Sequence, residues 1–364
     1  MDKKTIVVNY VCKHSIRYVY CMVRALAENG CEILAVVSKH MPEIEEWRKL
    51  KDVTLYEVDG YTSVLNFPWR LLKFFFCDAY RLRKEIRKRE ITTSYVPILS
   101  YWSIFVDIVC GIKNLIFTMH DPIPHNTRNF IAVFTNWYLA RRAGKIVILS
   151  HLFKDYVVGK FSKQGQDVIV IPHGIDTHKD VSPEKLVRYS PKKTNFLFQG
   201  QISRYKGLHV LLEAYGRLCE ERDDVSLTIA GSGDITSYAG MLKSLKNCQV
   251  INRWLTESEV VGLYNNKNVV LILPYLTATQ SGVVGEAMSA GTPIIATKTG
   301  GLVEQIKDGE TGYLVPVGDV PALYERMLYV TKFPQELSKI RKNEIEVASK
   351  LCWYKLGQTL YQLI

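Results

Sequence analysis

Two doubly wound α/β domains, each a mostly parallel sheet wrapped by helices in the Rossmann-like manner, are what this sequence predicts. Three observations lead there. Short β-branched runs alternate with amphipathic segments along the whole chain, the pattern of βαβ units around a buried parallel sheet. A polar stretch from Thr177 to Thr194, holding Pro183 and Pro191 and lacking a clear period, separates one set of such units from a second that begins afresh. A chain of 364 residues exceeds one ordinary core and suits two.

The first unit is legible residue by residue. Thr5 to Asn9 reads as a strand, after which Ile16, Val19, Tyr20, Val23, Leu26 and Ala27 recur at helical spacing. Gly30 punctuates the end of that helix, and Ile33 to Val37 reads as the next strand. Further strands are expected at 53–58, 92–96, 114–119, 145–149 and 168–172, completing a domain over residues 1–178. The second set comprises 195–199, 226–230, 249–252, 269–274 and 293–297, giving a domain over 179–345. In the closing segment, 346–364, Trp353, Leu356, Leu360, Leu363 and Ile364 follow helical spacing. Ligands of open α/β sheets sit beyond the carboxyl ends of the strands, so two such lobes facing one another would enclose a cleft.

Composition narrows the class. Hydrophobic residues make up 47% and charged residues 23%, with no low-complexity tract and no evident repeat, which fits a globular protein. None of the eight cysteines forms a CxxC pair, so scattered thiols in a reducing cytoplasm are expected. The chain opens on Met1-Asp2-Lys3-Lys4 and a run too short for a secretory core. The apolar stretch Tyr95 to Ile112 carries Pro97, Ser100, Ser103 and Asp107, so it reads as strand plus helix rather than a membrane span.

The net charge of +11 is uneven: residues 1–180 carry 26 Lys/Arg against 18 Asp/Glu, the remainder 21 against 18. The densest stretch, Asn66 to Glu90, interleaves Trp69, Phe74, Phe75, Phe76 and Tyr80 with basic residues, among them Arg81, Arg83, Lys84, Arg87 and Lys88. Basic plus aromatic side chains on a helix suit an anionic bilayer surface, and hence a peripheral position at the inner face of the plasma membrane. The alternative is a core helix with a solvated outer face. No nucleic-acid-binding motif accompanies the charge.

Two strand–loop–helix segments carry chemistry. In Phe198-Gln-Gly-Gln-Ile-Ser-Arg-Tyr-Lys-Gly207 a strand feeds a loop that opens a helix marked by Leu208, Leu211, Leu212, Tyr215 and Leu218. Free N–H groups and the helix dipole make that start an anion site, to which Lys206 adds a point charge. In Pro274-Tyr-Leu-Thr-Ala-Thr-Gln-Ser-Gly-Val-Val-Gly-Glu286 a second strand enters a second helix, with Glu286 about one turn inside, where a carboxylate can accept from paired hydroxyls such as those of a ribose. His120 and Asp121 end a strand of the first domain, at the edge where ligands bind. His125, His151 and His173 have no comparable argument. No metal-ligand spacing and no nucleophile elbow appears, so no catalytic metal is expected.

Together with Leu227 to Gly233, Gly300-Gly-Leu-Val-Glu304 and Asp308-Gly-Glu-Thr-Gly312, these two segments resemble the C-terminal domain of glycosyltransferase family 4, over residues 195 to about 320. The first half resembles it more loosely, through Ile171-Pro-His-Gly-Ile-Asp176 and Thr118-Met-His-Asp121. The resemblance implies a GT-B fold with a final helix crossing back to the first domain, retention at the anomeric carbon, and a nucleotide diphosphate sugar donor, UDP- or GDP-linked. It implies that Lys206 contacts the donor diphosphate, Glu286 the ribose, and the backbone at Gly282 and Val283 the sugar and phosphates, with His120 near the reacting centre. Gly200, Gln201, Arg204, Gly231, Gly233, Arg253, Gln280, Ser281 and Val284 complete the donor set, and the first domain is expected to hold a saccharide or lipid-linked saccharide, as in surface polysaccharide assembly. Two positions depart from the family: its first glutamate falls at Ala278, with Gln280 or Ser281 as substitutes, and its loop arginine at Gln201, with Arg204 nearby. A nucleotide-sugar epimerase of like architecture and an inactive, glycosyltransferase-like partner subunit are the other readings.

Overall fold

A computed structural model of the protein describes residues 3–12, 16–60, 66–123, 130–176, 193–265 and 268–364. The chain divides into two compact units, one of Met1–Pro172 with Trp353–Ile364, the other of His173–Cys352. The expected boundary at 178 and nearly all of the expected linker lie outside the described residues.

The first unit runs β1 (Thr5–Tyr10), α1 (Ile16–Glu28), β2 (Glu32–Ser38), α2 (Ile44–Arg48), β3 (Val53–Val58), α3 (Phe67–Lys73), α4 (Ala79–Lys88), β4 (Thr93–Val96), α5 (Ser103–Cys110), β5 (Asn114–Met119), α6 (Phe130–Arg142), β6 (Lys145–Ile148), α7 (Lys154–Phe161) and β7 (Val168–Val170). Its sheet is ordered β3-β2-β1-β4-β5-β6-β7, with every pairing parallel. Alternate residues of a strand reach opposite faces, which is why Ile6 and Val8 pack with α1 while Val7 packs with α4 and α5. Between α3 and α4 the turn Phe74–Asp78 is π-helical, so the single basic helix expected there is two helices joined by a bulge.

The second unit runs β8 (Thr194–Gln199), α8 (Leu208–Glu221), β9 (Val225–Ala230), α9 (Ala239–Ser244), β10 (Cys248–Ile251), α10 (Glu257–Tyr264), β11 (Val269–Leu273), α11 (Gly282–Ala290), β12 (Ile294–Thr297), α12 (Leu302–Gln305), β13 (Tyr313–Val315), α13 (Val320–Lys332) and α14 (Glu336–Lys350). The order β10-β9-β8-β11-β12-β13 is again wholly parallel and reverses between β8 and β11, its switch point. The edge strand β13 is absent from the sequence reading.

The last helix, α15 (Trp353–Tyr361), belongs to the first unit and lies on α1. Gly357 lets the two backbones approach, since a Cβ there would come within 2.6 Å of the Ala25 Cβ. Asn29 Nδ2 ties the helices by donating to the Tyr354 carbonyl at 3.0 Å. The segment from 346 stays in the second unit through the end of α14 at Lys350 and on to Cys352. Among the described residues no helix is long and apolar enough to cross a membrane.

Candidate functional site

Strands β8 and β11 are hydrogen-bonded neighbours at the switch point, so the loops leaving their carboxyl ends must meet. They do so through backbone. Leu276 N–H donates to the Tyr205 carbonyl at 2.7 Å, and Gly207 lies against the Pro274 carbonyl, where a Cβ would sit 1.9 Å from the oxygen. Gly207 also has φ +66, which an L-residue adopts only at a cost, so glycine is required there twice over. Upstream, Arg204–Lys206 form one 3₁₀ turn before α8 begins at Leu208.

That junction fixes Lys206. Its ammonium lies 3.8 Å from the centre of the Tyr275 ring, a cation–π contact, and 5.6 Å from that of Tyr205. Burial lowers its pKa from 10.5 to about 8, because the charged form has lost water. Tyr275, itself buried, lies within electrostatic reach of the Glu286 carboxylate; burial chiefly raises its hydroxyl pKa, and Ser281 acts to lower it. Lys206, Tyr275, Ser281 and Glu286 thus form one neighbourhood.

Helix α11 supplies the opposite wall. Its N-cap, Ser281, makes no side-chain capping bond, and no acid occupies the first turn, so the positive end of the helix is not neutralised by its own residues. Gln305 clamps the cap from behind: the Ser281 N–H donates to its Oε1 at 2.9 Å, and its Nε2 donates to the Ser281 carbonyl at 3.0 Å. A Cβ on Gly200 would lie 3.7 Å from Val283 Cγ2, so the first loop packs directly on the start of α11. Val284 and Gly285 are turned into the core.

The glycines of the following loops allow close approach of backbone to backbone. Gly231, at φ +147, would place a Cβ 1.9 Å from the Gly200 carbonyl, and Gly233 one 2.2 Å from that of Ile202. Gly300 and Gly301 stand likewise against the carbonyls of Ala278 and Thr279.

Several expected site residues have partners within the protein. Arg253 is engaged elsewhere, its guanidinium paired with Glu259, which also closes the capping box of α10 with Thr256. The Gln280 side chain accepts from the His173 N–H at 3.0 Å, so its amide oxygen is committed to backbone. Ala278 is buried, while Gln201 and Arg204 are exposed on the first loop. His173, which sequence reasoning passed over, has its ring against the first residue of α11: a Cβ on Gly282 would lie 3.4 Å from its Cε1. The signal was its place in Ile171-Pro-His-Gly-Ile-Asp176, a motif noticed but not weighed for its histidine.

In the first unit, His120 Nε2 is 3.0 Å from the Pro97 carbonyl and its ring meets Tyr18 edge-on at 4.5 Å. Burial lowers its pKa below 6.5, so the ring is neutral at pH 7. Asp121 is exposed beside it. Along α3, the π-turn and α4, Phe74, Leu82 and Ile86 enter the core while Trp69 and Phe76 stand 76% and 83% exposed. Arg81, Arg83, Lys84, Arg87 and Lys88 are all exposed, and Arg83 Nε also donates to the Val109 carbonyl at 2.8 Å, near the end of α5.

Comparison with known proteins places these features. A family model described as Glycosyltransferase Family 4 matches residues 16–179, and one described as Glycosyl transferases group 1 matches residues 193–332. The chain is 31% identical over 169 residues to the phosphatidyl-myo-inositol mannosyltransferase of Mycobacterium leprae, covering 45% of this chain and 44% of that protein. It is 29% identical over 177 residues to spore coat protein SA of Bacillus subtilis, covering 45% and 46%. The chain thus spans under half the length of these relatives. The fold matches Anabaena HepE in complex with UDP (TM-score 0.72, 14% identity, 99% and 98% of the two chains). It also matches the sucrose-phosphate synthase of Thermosynechococcus elongatus (TM-score 0.76, 18% identity, 99% and 98%).

Proposed function

We propose, from the premise that the chain belongs to glycosyltransferase family 4, that it moves a sugar from a nucleotide diphosphate sugar to an acceptor hydroxyl with retention at the anomeric carbon. What supports this reading is the backbone junction of the β8–α8 and β11–α11 loops, with the Lys206 ammonium over the Tyr275 ring, Tyr275 within electrostatic reach of Glu286, and the start of α11 uncapped by its own side chains. A departing nucleotide diphosphate gains charge as the glycosidic bond breaks, so a fixed ammonium and helix-end N–H groups at Gly282 and Val283 stabilise it most in the transition state. Glu286 accepts from the ribose hydroxyls. Arg204, Gln201 and Gln280 border the donor, Gln280 by holding His173 against Gly282 rather than by touching sugar. His120, neutral, presents a hydrogen-bonding ring to the reacting sugars. UDP is the nucleotide favoured, by analogy with the UDP bound to HepE.

The acceptor is a lipid-linked saccharide at an anionic membrane face, in the assembly of a bacterial surface polysaccharide. The exposed aromatics of α3 and α4 beside Arg81, Lys84, Arg87 and Lys88 support this, each basic side chain near such a surface contributing about 1 kcal/mol. The lipid named in the mycobacterial relative is consistent with it. A thermal-shift screen of the full chain against UDP, GDP, ADP and TDP sugars tests the donor: a ligand at a hundred times its dissociation constant stabilises by about 2.7 kcal/mol. No shift with any of them removes the proposal, and conversion of donor without acceptor replaces it with an epimerase.

A further inference from the structure

Helix α6 is apolar on the side it does not need for folding. Its core contacts are Thr135, Leu139 and Ala140, yet Phe130, Val133, Phe134 and Trp137 recur on another stripe, with Phe130 78% exposed and the Phe134 and Trp137 rings 5.9 Å apart. With Lys160 and Phe161 of α7 and one amide, Asn136, these four side chains line an open cavity of about 230 Å³. An exposed apolar recess of this kind has a use beyond folding.

Its chemistry selects the occupant. A saccharide needs many hydrogen-bond partners, and among the described residues the walls offer only Asn136 and Lys160. The volume falls below the roughly 300–1,000 Å³ of ordinary small-molecule pockets, which suits a slender chain rather than a ring system. Among the described residues no acidic side chain lines it. The Lys160 ammonium is held at the wall, 4.9 Å from the Tyr156 ring centre and 5.9 Å from that of Phe161, and it donates to the Tyr156 hydroxyl. A positive charge fixed beside an apolar slot complements a hydrocarbon tail that ends in an anionic group.

We infer that the α6–α7 cleft binds one hydrocarbon chain of an anionic amphiphile, its phosphate or phosphodiester headgroup paired with Lys160. This rests on the reading of a lipid-linked acceptor, and deepens it by assigning a place on the first unit to the lipid tail.

The test is calorimetry and tryptophan fluorescence on the full chain with dodecyl phosphate below its micellar concentration, with dodecyl maltoside as neutral control and inorganic phosphate as headgroup control. Wild type binds dodecyl phosphate saturably with a shift in emission that Trp137→Phe abolishes, and phosphate alone gives no heat. Phe134→Glu weakens binding at least tenfold. Lys160→Gln weakens it about fivefold for dodecyl phosphate and not for dodecyl maltoside. Phe134→Ala, with an unchanged melting temperature, guards against misfolding of the Glu variant. Vesicles of zwitterionic lipid doped with either a polyprenyl phosphate or phosphatidylglycerol then separate acceptor tail from bulk lipid, and cleft-dependent binding to either supports the assignment. Absence of saturable binding by wild type, or binding by Phe134→Ala and Lys160→Gln equal to wild type, overturns it. The UDP-sugar thermal shift, measured on the same proteins, reads the transferase proposal separately.

Discussion

Replacing Lys206 with Met keeps the aliphatic stem over the Tyr275 ring and deletes the charge. Two effects of opposite sign follow. A fall in pKa from 10.5 to about 8 means that the folded protein disfavours the ammonium by roughly 3 kcal/mol relative to the unfolded chain. The cation–π contact with Tyr275 already offsets part of this. At pH 7 the Met variant is therefore as stable as wild type or more stable, by about 1–3 kcal/mol. Donor binding moves the other way, because a charge-assisted contact to the diphosphate is worth roughly 1.5–3 kcal/mol, or about 10- to 150-fold in affinity. Thermal unfolding without ligand and calorimetry with UDP read the two effects on one preparation. A Met variant that binds UDP as tightly as wild type refutes the reasoning. So does one that melts well below it, which would make Lys206 a structural residue.

The same lysine sets a pH dependence. It is cationic below about 8 and neutral above, so affinity for UDP is full at low pH and falls as pH rises through 8, by up to about tenfold per pH unit, whereas Lys206→Arg flattens the profile. Gly207→Ala forces a Cβ into the Pro274 carbonyl at φ +66, so the two loops must separate; the melting temperature drops by several degrees and UDP binding is lost in calorimetry. Arg253→Gln, by freeing Glu259 from its partner, lowers thermal stability slightly and leaves UDP affinity within twofold. His120→Ala lowers kcat while preserving UDP affinity, and since burial lowers the pKa of wild-type His120, its kcat holds as pH falls to the ordinary imidazole range and is lost only below it.

Most of the architecture was legible because buried parallel strands are short, continuous and β-branched. Val269–Leu273, buried at every position, was placed within one residue. The missing strand, β13, has only three residues and lies at the sheet edge, where Tyr313 and Val315 alternate with a half-buried Leu314 too briefly to show a period. The basic stretch 66–90 read as one helix because apolar spacing does not reveal a π-turn, which shifts the phase after Phe74, and Arg83 Nε donates to the Val109 carbonyl near the end of α5. At the site, local pattern located the two loops and Lys206. Arg253, expected beside the donor, is paired with Glu259, which closes the capping box of α10 with Thr256, a pairing that local pattern does not reveal. Local pattern also passed over His173, whose motif is local but whose partner Gln280 is 107 residues away, so spacing alone does not place it against α11.

The most direct test of the account is a crystal structure of the full chain with UDP. It should show the diphosphate accepting hydrogen bonds from the N–H groups of Gly282 and Val283 and from Lys206 Nζ, with the ribose hydroxyls on Glu286. A well-ordered UDP bound away from the junction of the β8–α8 and β11–α11 loops, with Lys206 still over Tyr275 and touching no phosphate, contradicts it.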